Sequence, residues 1–180
     1  ELRGALGYHA SPMQRVPKAE FSPELQKRLE ALWGSPPNLY RLLGNQPALA
    51  AAWTEFFNAV RHESRTPRAL REIVILRNAQ LVRSEYEWAQ HLAMARRAGV
   101  REAQIAALAE WRTSGEFDAR ERAALALAED VTAGCVTDAV HAEVKRHFDD
   151  AEYVELCLTA AAYAMVSRMI DALGVELDPQ

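Results

Sequence analysis

Residues 70–100 read LREIVILRNAQLVRSEYEWAQHLAMARRAGV, and the prediction of the fold rests mainly on this stretch. Two apolar segments with helical spacing flank a polar and aromatic interruption that runs from Ser84 to Trp88. A glutamate, Glu72, lies in the first segment, and a histidine, His91, lies in the second. Polar residues that break an otherwise buried pattern are often functional, because such a break costs stability. We therefore expect the candidate site to lie in this stretch.

The local signals around this stretch predict a pair of consecutive helices. Thr66 is placed to cap the first helix, and the break at Ser84 is placed to cap the second. Glu87 follows Ser84 by three residues, which is the spacing of a capping box. The second helix is predicted over residues 85–98 and ends at Gly99. If these two helices pack as an antiparallel hairpin, residues of both can meet.

The rest of the chain also shows helical spacing, and no segment has strand alternation of useful length. The other predicted helices cover about residues 23–33, 39–44, 47–62, a short segment after Val100, 118–132, 138–148 and 151–173. The third of these is predicted to bury one apolar face formed by Leu49, Trp53, Phe56, Phe57 and Val60. The sequence therefore predicts an all-α bundle of about eight helices. We expect one domain over residues 16–180, preceded by a flexible arm or expression remnant over residues 1–15.

Composition narrows the function classes. The chain has 180 residues, of which 49% are hydrophobic and 26% charged, as in soluble globular proteins. The net charge is −4 and no basic-aromatic patch occurs, so nucleic acid is not an expected partner. No apolar run comes near the ~20 residues that a membrane helix needs, which predicts no membrane partner. Two isolated cysteines, Cys135 and Cys157, favour buried thiols in a reducing, cytoplasmic location.

Spacing places several chemically useful side chains near one another. Glu87 and His91 are four residues apart on one helix face, so the carboxyl group can orient the imidazole for acid/base work. Glu72 can reach them across the hairpin. Ser84 lies on nearly the same line as Glu87 and His91, and Tyr86, offset by about 100°, can line the same pocket.

Structural roles explain the same residues as well. A Glu–His pair at this spacing is common on solvated helix faces, Ser84 also fits a simple N-cap, and Tyr86 and Trp88 also fit core aromatics. A divalent-metal site built from Glu72, Glu87 and His91 is a further alternative. Because no second Glu-x-x-His-type helix adds ligands, metal-free chemistry is favoured. We predict no metal and no cofactor.

A family resemblance goes further than spacing. The acidic helix, the Tyr-Glu-Trp-x-x-His motif that ends at His91 and the following Ala-Arg-x-Ala-Gly-Val resemble the core signature of the carboxymuconolactone decarboxylase family. That family includes the alkylhydroperoxidase-D-like proteins. Flanking segments over residues 37–53 and 147–176 also resemble its longer members. The resemblance implies an all-helical fold and a homo-oligomer, usually a trimer or hexamer, with a dimer as an alternative.

The resemblance also defines a departure. The peroxidase branch of the family uses Cys-x-x-Cys-x-x-x-His, with a glutamate nineteen residues before the histidine. Counting from His91 places that glutamate at Glu72, whereas the two cysteine positions are occupied by Ser84 and Glu87. Neither serine nor glutamate can form a sulfenic acid, so thiol peroxidase activity is not expected.

What remains is a cofactor-independent acid/base enzyme, of a decarboxylase or lyase type, that acts on a small carboxylated or lactone-like molecule. In this interpretation Glu72, Glu87 and His91 are catalytic, and Ser84, Tyr86 and Trp88 form substrate-binding walls. A non-catalytic oligomeric ligand-binding protein is the alternative. The arginines nearest in sequence that could pair with a substrate carboxylate are Arg71, Arg77 and Arg83, and the sequence does not choose among them.

Overall fold

In a computed structural model, residues 14–178 are described, and they form nine α-helices, one short 3-10 helix and no strand. The helices are α1 (Pro23–Trp33), α2 (Asn38–Leu43), α3 (Pro47–His62), α4 (Arg68–Leu81), α5 (Glu85–Arg97), α6 (Glu102–Ala107), α7 (Ala119–Ala133), α8 (Asp138–His147) and α9 (Asp150–Leu173). The 3-10 turn Leu108–Glu110 follows α6. The all-α prediction is confirmed. Most of the arm predicted over residues 1–15 lies outside the described residues, and the backbone N–H of Arg15, at its end, donates to the Leu173 carbonyl at 3.0 Å.

Helix α4 is the centre of the fold. It packs against α5, α7 and α9 and is buried on nearly all sides, so that even Arg71, Glu72 and Asn78 are withdrawn from water. Apolar clusters surround it: one joins α4 to α7, α8 and α9, and another joins α4 to α5, α6 and α7. A third, between α2, α3, α5 and α9, includes the aromatic rings of Phe57, Tyr86 and Tyr163. Buried polar groups in α4 must find partners inside the protein.

Several local predictions are confirmed and others are wrong. The sequence also predicts Ser22 and Thr137 as N-caps, and their side chains cap α1 and α8. Thr66 does not cap α4, because the residue before that helix is Pro67, and the Thr66 backbone N–H instead donates to Glu155 at 2.8 Å. Asn38, which the sequence predicts as the N-cap of the short second helix, is instead the first residue of α2. Its side chain donates to the carbonyls of residues 176 and 177.

The predicted buried face of α3 is also partly wrong. Leu49 and Phe56 are 66% and 37% exposed, whereas Phe57 and Val60 are buried. The packed face is therefore rotated toward Ala50 and Thr54, because α3 packs against α1, α2 and α9.

Helix α9 is the longest helix in the described chain. By length and composition alone it is long and apolar enough to cross a membrane, contrary to the expectation that no apolar run is long enough. Half of that stretch is buried inside the fold, as is usual for the core helix of a soluble protein. On its other face an apolar stripe formed by Val154, Leu158 and Met165 is exposed in the single chain.

Candidate active site

The α4–α5 hairpin brings Glu72 and His91 into direct contact. The link between the helices is short, and Arg83 adopts a left-handed backbone conformation in it, with φ of 56°. Nδ1 of His91 lies 2.8 Å from Oε2 of Glu72, and both side chains are buried. The ring nitrogen that faces a carboxylate carries the proton, so this contact orients the imidazole and fixes its tautomer.

Arg68 completes the support of Glu72 from one turn earlier in α4. Its Nε donates to Oε1 of Glu72 at 2.7 Å, and its terminal nitrogen also pairs with that oxygen. Burial alone would raise the pKa of Glu72, but the hydrogen bond from His91 and the charge of Arg68 outweigh it and lower this pKa. Glu72 is therefore an ionised anchor rather than a proton donor.

Glu87 lies on the other side of the imidazole. Its Oε2 is 3.6 Å from Nε2 of His91, which is within range of a charge interaction but longer than a hydrogen bond. Among the described residues, this buried oxygen has no hydrogen-bond partner. Burial raises the pKa of the Glu87 carboxyl, although His91 and Arg61 oppose the shift. A glutamate in this state keeps its proton at a pH at which exposed glutamates have lost theirs.

Aromatic side chains enclose the Glu87–His91 pair. Tyr163 of α9 meets the His91 ring edge-on, with centroids 4.8 Å apart and planes at 88°. Nε of Arg61 donates to the Tyr163 hydroxyl at 3.2 Å. A small cavity of about 30 Å³ opens beside the pair, which is room for a water molecule or a small substrate group. Its walls include Leu39, Tyr40, Trp53, Phe57, Tyr86, Gln90, Met94 and Val166.

A larger cleft of about 500 Å³ adjoins this cavity. Tyr40, Arg61 and Met94 line both spaces, so the cleft reaches the neighbourhood of His91. The other residues of the cleft are Leu32, Thr54, Asn58, His62, Arg68, Arg97 and Ala98. A pocket of this size suits a small organic molecule.

The structure places the predicted site residues unequally. It brings Glu72, Glu87, His91 and Tyr86 to the cavity walls or directly behind them. Ser84 caps α5 by accepting the Glu87 backbone N–H at 3.3 Å, and its side chain lines a separate cavity. No described contact returns the Glu87 side chain to the Ser84 backbone to complete a capping box, and its carboxyl group lies near His91 instead. Trp88 packs into the core between α5, α6 and α7, away from the cavity.

The arginines nearest in sequence are also elsewhere. Arg71 donates to the backbone carbonyls of Arg61, Ser64 and Thr66, and Arg77 pairs with Glu129. Arg83 lines the separate cavity next to Ser84. Spacing did not predict the roles of Arg61, Tyr163 or Asp178, because each comes from a distant part of the chain. Arg68 had a sequence signal, since it precedes Glu72 by four residues on the same helix.

Asp178 holds Tyr86 in place at the cavity wall. The Tyr86 hydroxyl donates to Oδ2 of Asp178 at 2.5 Å, and Gln90 donates to the same oxygen at 2.8 Å. Burial and the Asp178 carboxylate both raise the pKa of Tyr86. The Tyr86 hydroxyl is therefore neutral, and its hydrogen bond is donated to Asp178 in the C-terminal segment rather than to a substrate.

The expectation of two buried thiols is only partly met. Cys135 is exposed and Cys157 is half-buried, where burial raises the pKa of its thiol. Neither lines the cavity beside His91. Across residues 14–178, no group of three or more His, Cys, Asp or Glu side chains has the arrangement of a metal site.

Comparison with known proteins supports the family resemblance. Residues 47–130, which include Glu72, Glu87 and His91, match the model of the carboxymuconolactone decarboxylase family. Over these residues the chain is similar to the carboxymuconolactone decarboxylase family. The uncharacterized protein YdfG of Bacillus subtilis is 29% identical over 115 residues, which cover 62% of this chain and 78% of that protein.

Several solved structures share the fold. The debrominase Bmp8, solved as a cysteine-to-alanine variant in complex with 2,3,4-tribromopyrrole, has a TM-score of 0.78 at 20% identity, covering 93% of this chain and 94% of that one. A peroxidase-related protein from Silicibacter sp. has a TM-score of 0.81 at 18% identity, covering 95% and 94%. An alkylhydroperoxidase-D core protein from Ralstonia eutropha has a TM-score of 0.80 at 20% identity, covering 94% of each chain. At these identities the likeness concerns the fold.

Proposed function

We propose that this protein, which is similar to the carboxymuconolactone decarboxylase family, is a cofactor-independent acid/base enzyme that acts on a small carboxylated or lactone-like organic molecule. The observation that carries the proposal is a buried imidazole with a different carboxyl group at each nitrogen, open to a cavity. An exposed Glu–His pair on a convex surface would have favoured a binding or structural role. Buried titratable groups with shifted pKa values beside a cleft are typical of catalytic sites.

The two carboxyl groups have different roles in this mechanism. Ionised Glu72, held by Arg68, keeps the His91 Nδ1 proton in place and leaves Nε2 directed toward Glu87. Glu87, with its raised pKa, supplies a proton, and Nε2 of His91 accepts one. A site with one proton donor and one acceptor can remove a proton from substrate carbon at one step and return it at another. The scheme is analogous to other enzymes in which environment gives two carboxyl groups opposite roles.

Decarboxylation shows what the site would supply. When carbon dioxide leaves a conjugated lactone carboxylate, the electron pair of the broken bond remains on carbon. Transfer of the Glu87 proton to that carbon completes the reaction, and His91 helps to return a proton from water to Glu87. The aromatic walls exclude bulk water, which strengthens the electrostatic interactions in the cavity.

Thiol-dependent peroxide reduction is not supported. Ser84 and Glu87 occupy the positions of the two family cysteines, and Ser84 is engaged in capping α5. Cys135 and Cys157 lie outside the cavity walls. Glu87, by contrast, places a proton carrier at the position of one of the two cysteines.

A substrate panel tests the proposal. We would measure turnover of carboxymuconolactone and related lactone carboxylates by mass spectrometry, in D₂O to detect deuterium at carbon, with and without a chelator. His91→Gln and Glu87→Gln should each reduce turnover by about 10²- to 10⁴-fold, the usual contribution of a positioned acid or base. His141→Gln, on the exposed surface of α8, is the matched control and should not change it. Turnover that survives unchanged in His91→Gln would contradict the proposal, and binding without turnover of any panel member would favour the ligand-binding alternative.

A further inference from the structure

The 500 Å³ cleft beside the site is basic. Arg61, His62, Arg68 and Arg97 contribute to its walls, and no aspartate or glutamate is among its lining residues in the described chain. The protein as a whole has a net charge of −4, so this concentration of arginines is a local departure from the overall charge. Clefts lined by one sign of charge concentrate ligands of the opposite sign. The ligand of this cleft is therefore expected to be an anion.

The arginines of the cleft differ in what they already bind. Arg68 is engaged with Glu72, so its charge is used within the protein. Arg61 donates to the neutral Tyr163 hydroxyl at the junction between cleft and cavity. Arg97 is exposed on the last turn of α5, and no hydrogen bond or ion pair to another described residue engages its side chain. Its neighbour Arg96, by contrast, donates to both carboxylate oxygens of Glu102, at 2.6 and 3.1 Å.

The inner end of the same space has different chemistry. Beyond Tyr40 and Met94, the walls become aromatic, with Trp53, Phe57 and Tyr163. The innermost cavity of about 30 Å³ accepts only a small group beside Glu87 and His91. A ligand that uses both parts therefore needs an anionic group in the outer cleft and an apolar part that extends inward.

Near neutral pH, His62 adds little positive charge to the cleft. Burial and the charges of Arg68, Arg61 and Arg71 lower the pKa of His62. The neutral imidazole leaves the arginines to supply the positive charge, and it can accept or donate one hydrogen bond at the rim.

We propose that the basic cleft binds the substrate through a carboxylate that does not itself react, with Arg97 as the specificity-determining residue, while a conjugated or aromatic part extends past Tyr40 and Met94 and presents a small reacting group to His91. This inference deepens the proposed function and rests on it for the position of the reacting group. The binding of an aromatic carboxylate to the cleft does not depend on catalysis. The two ideas can therefore fail separately.

The test uses phenylacetate and its neutral analogue phenylacetamide as probes, with dissociation constants from NMR titration of the full chain. Phenylacetate should bind the wild type, and Arg97→Gln should weaken it about five- to tenfold, as loss of a charge-assisted contact near the surface predicts. Arg96→Gln removes an identical charge one residue away, outside the cleft, and should leave binding unchanged. Phenylacetamide should bind weakly to all three proteins, and added salt should weaken phenylacetate binding only.

Several results would overturn the inference: no detectable phenylacetate binding, equal binding of phenylacetamide, or equal effects of Arg97→Gln and Arg96→Gln. His91→Gln separates this inference from the proposed function. Retention of phenylacetate binding in this variant would support the assignment of the carboxylate to the cleft, whatever happens to turnover. Unchanged turnover in the same variant would remove the acid/base mechanism and leave the carboxylate assignment standing.

Discussion

Nδ1 of His91 and Oε2 of Glu72 lie 2.8 Å apart inside the α4–α5 hairpin, nineteen residues apart in sequence. This hydrogen bond fixes which nitrogen of the imidazole remains for chemistry, and that nitrogen faces Glu87. The contact therefore connects the central helix of the fold to the proposed proton donor. Stability and activity should depend on it in different ways.

Replacement of Glu72 by glutamine should destabilise the protein by about 3 kcal/mol, because it leaves Arg68 without its buried carboxylate. The lowered pKa of Glu72 means that its contribution is present above the unfolded pKa and is lost as the pH falls through the folded value. The difference in the free energy of unfolding between the wild type and Glu72→Gln should therefore become smaller as the pH falls. Urea denaturation at several pH values measures it. Glu102→Gln, which removes an exposed ion pair, should leave the free energy of unfolding nearly unchanged, and an equally small effect of Glu72→Gln would contradict the prediction.

For Glu87→Gln, the difference in stability from the wild type should have the opposite pH dependence. Because burial raises the pKa of Glu87, the protein binds a proton there more tightly when folded, and this stability is lost as the pH rises from about 4.3 through the folded pKa. Glu87→Gln removes that loss and should be more stable relative to wild type at about pH 8 than at about pH 4. Thermal denaturation across this range provides the measurement. A wild-type-to-variant difference that does not change with pH would show that the pKa of Glu87 is ordinary.

Alanine at position 84 should affect folding rather than turnover. Ser84 caps α5, and loss of such a cap costs about 1 kcal/mol. Thr137→Ala removes a comparable cap from α8, far along the chain, and should cost a similar amount. Chemical denaturation compares the two variants, and the Michaelis constant of a substrate found in the panel should be the same in both. A selective rise in that constant for Ser84→Ala would restore the substrate-binding role predicted from sequence.

The homo-oligomer expected from the family resemblance stays a prediction. The exposed apolar stripe on α9 is the surface at which we expect the subunits to meet. Leu158 is 45% exposed between Val154 and Met165 on an otherwise packed helix. Leu158→Glu should lower the molar mass measured by size-exclusion chromatography with light scattering, because burial of a charge in an interface is costly. Ala142→Glu adds the same charge on the exposed surface of α8 and should not. A wild-type protein that is monomeric at micromolar concentration would contradict the expectation.

Sequence spacing was sufficient for the elements and for the hairpin that carries the site. Local signals such as Ser22, Ser84 and Gly99 define helix ends through the geometry of a few neighbouring residues, so they can be recognised in one dimension. Helix periodicity, together with the glutamate-to-histidine spacing of the family, predicted that Glu72, Glu87 and His91 converge. The burial of α4 also explains why its polar residues form specific contacts.

Long-range choices could not be predicted in the same way. Arg61 of α3 and Arg97 of α5 line the same cleft although they are distant in sequence, and no local pattern states which of many arginines will do so. Trp88 turned toward the core rather than the cavity, since its helix has two apolar neighbours and spacing does not choose between them. The hydrogen bond of Tyr86 to Asp178 depends on a C-terminal segment 92 residues away.

We propose that Glu87 carries a proton beside His91, at a position where the peroxidase branch has a thiol. Infrared spectroscopy in D₂O, with the pH raised from about 4 to about 8 past the ordinary glutamate pKa of about 4.3, tests this without any substrate. In the wild type and in Glu102→Gln, the carbonyl band of one protonated carboxyl group should persist above the pH at which an ordinary glutamate ionises, and this band should be absent in Glu87→Gln. A wild-type spectrum without that band, or a band that persists in Glu87→Gln, would contradict a protonated Glu87.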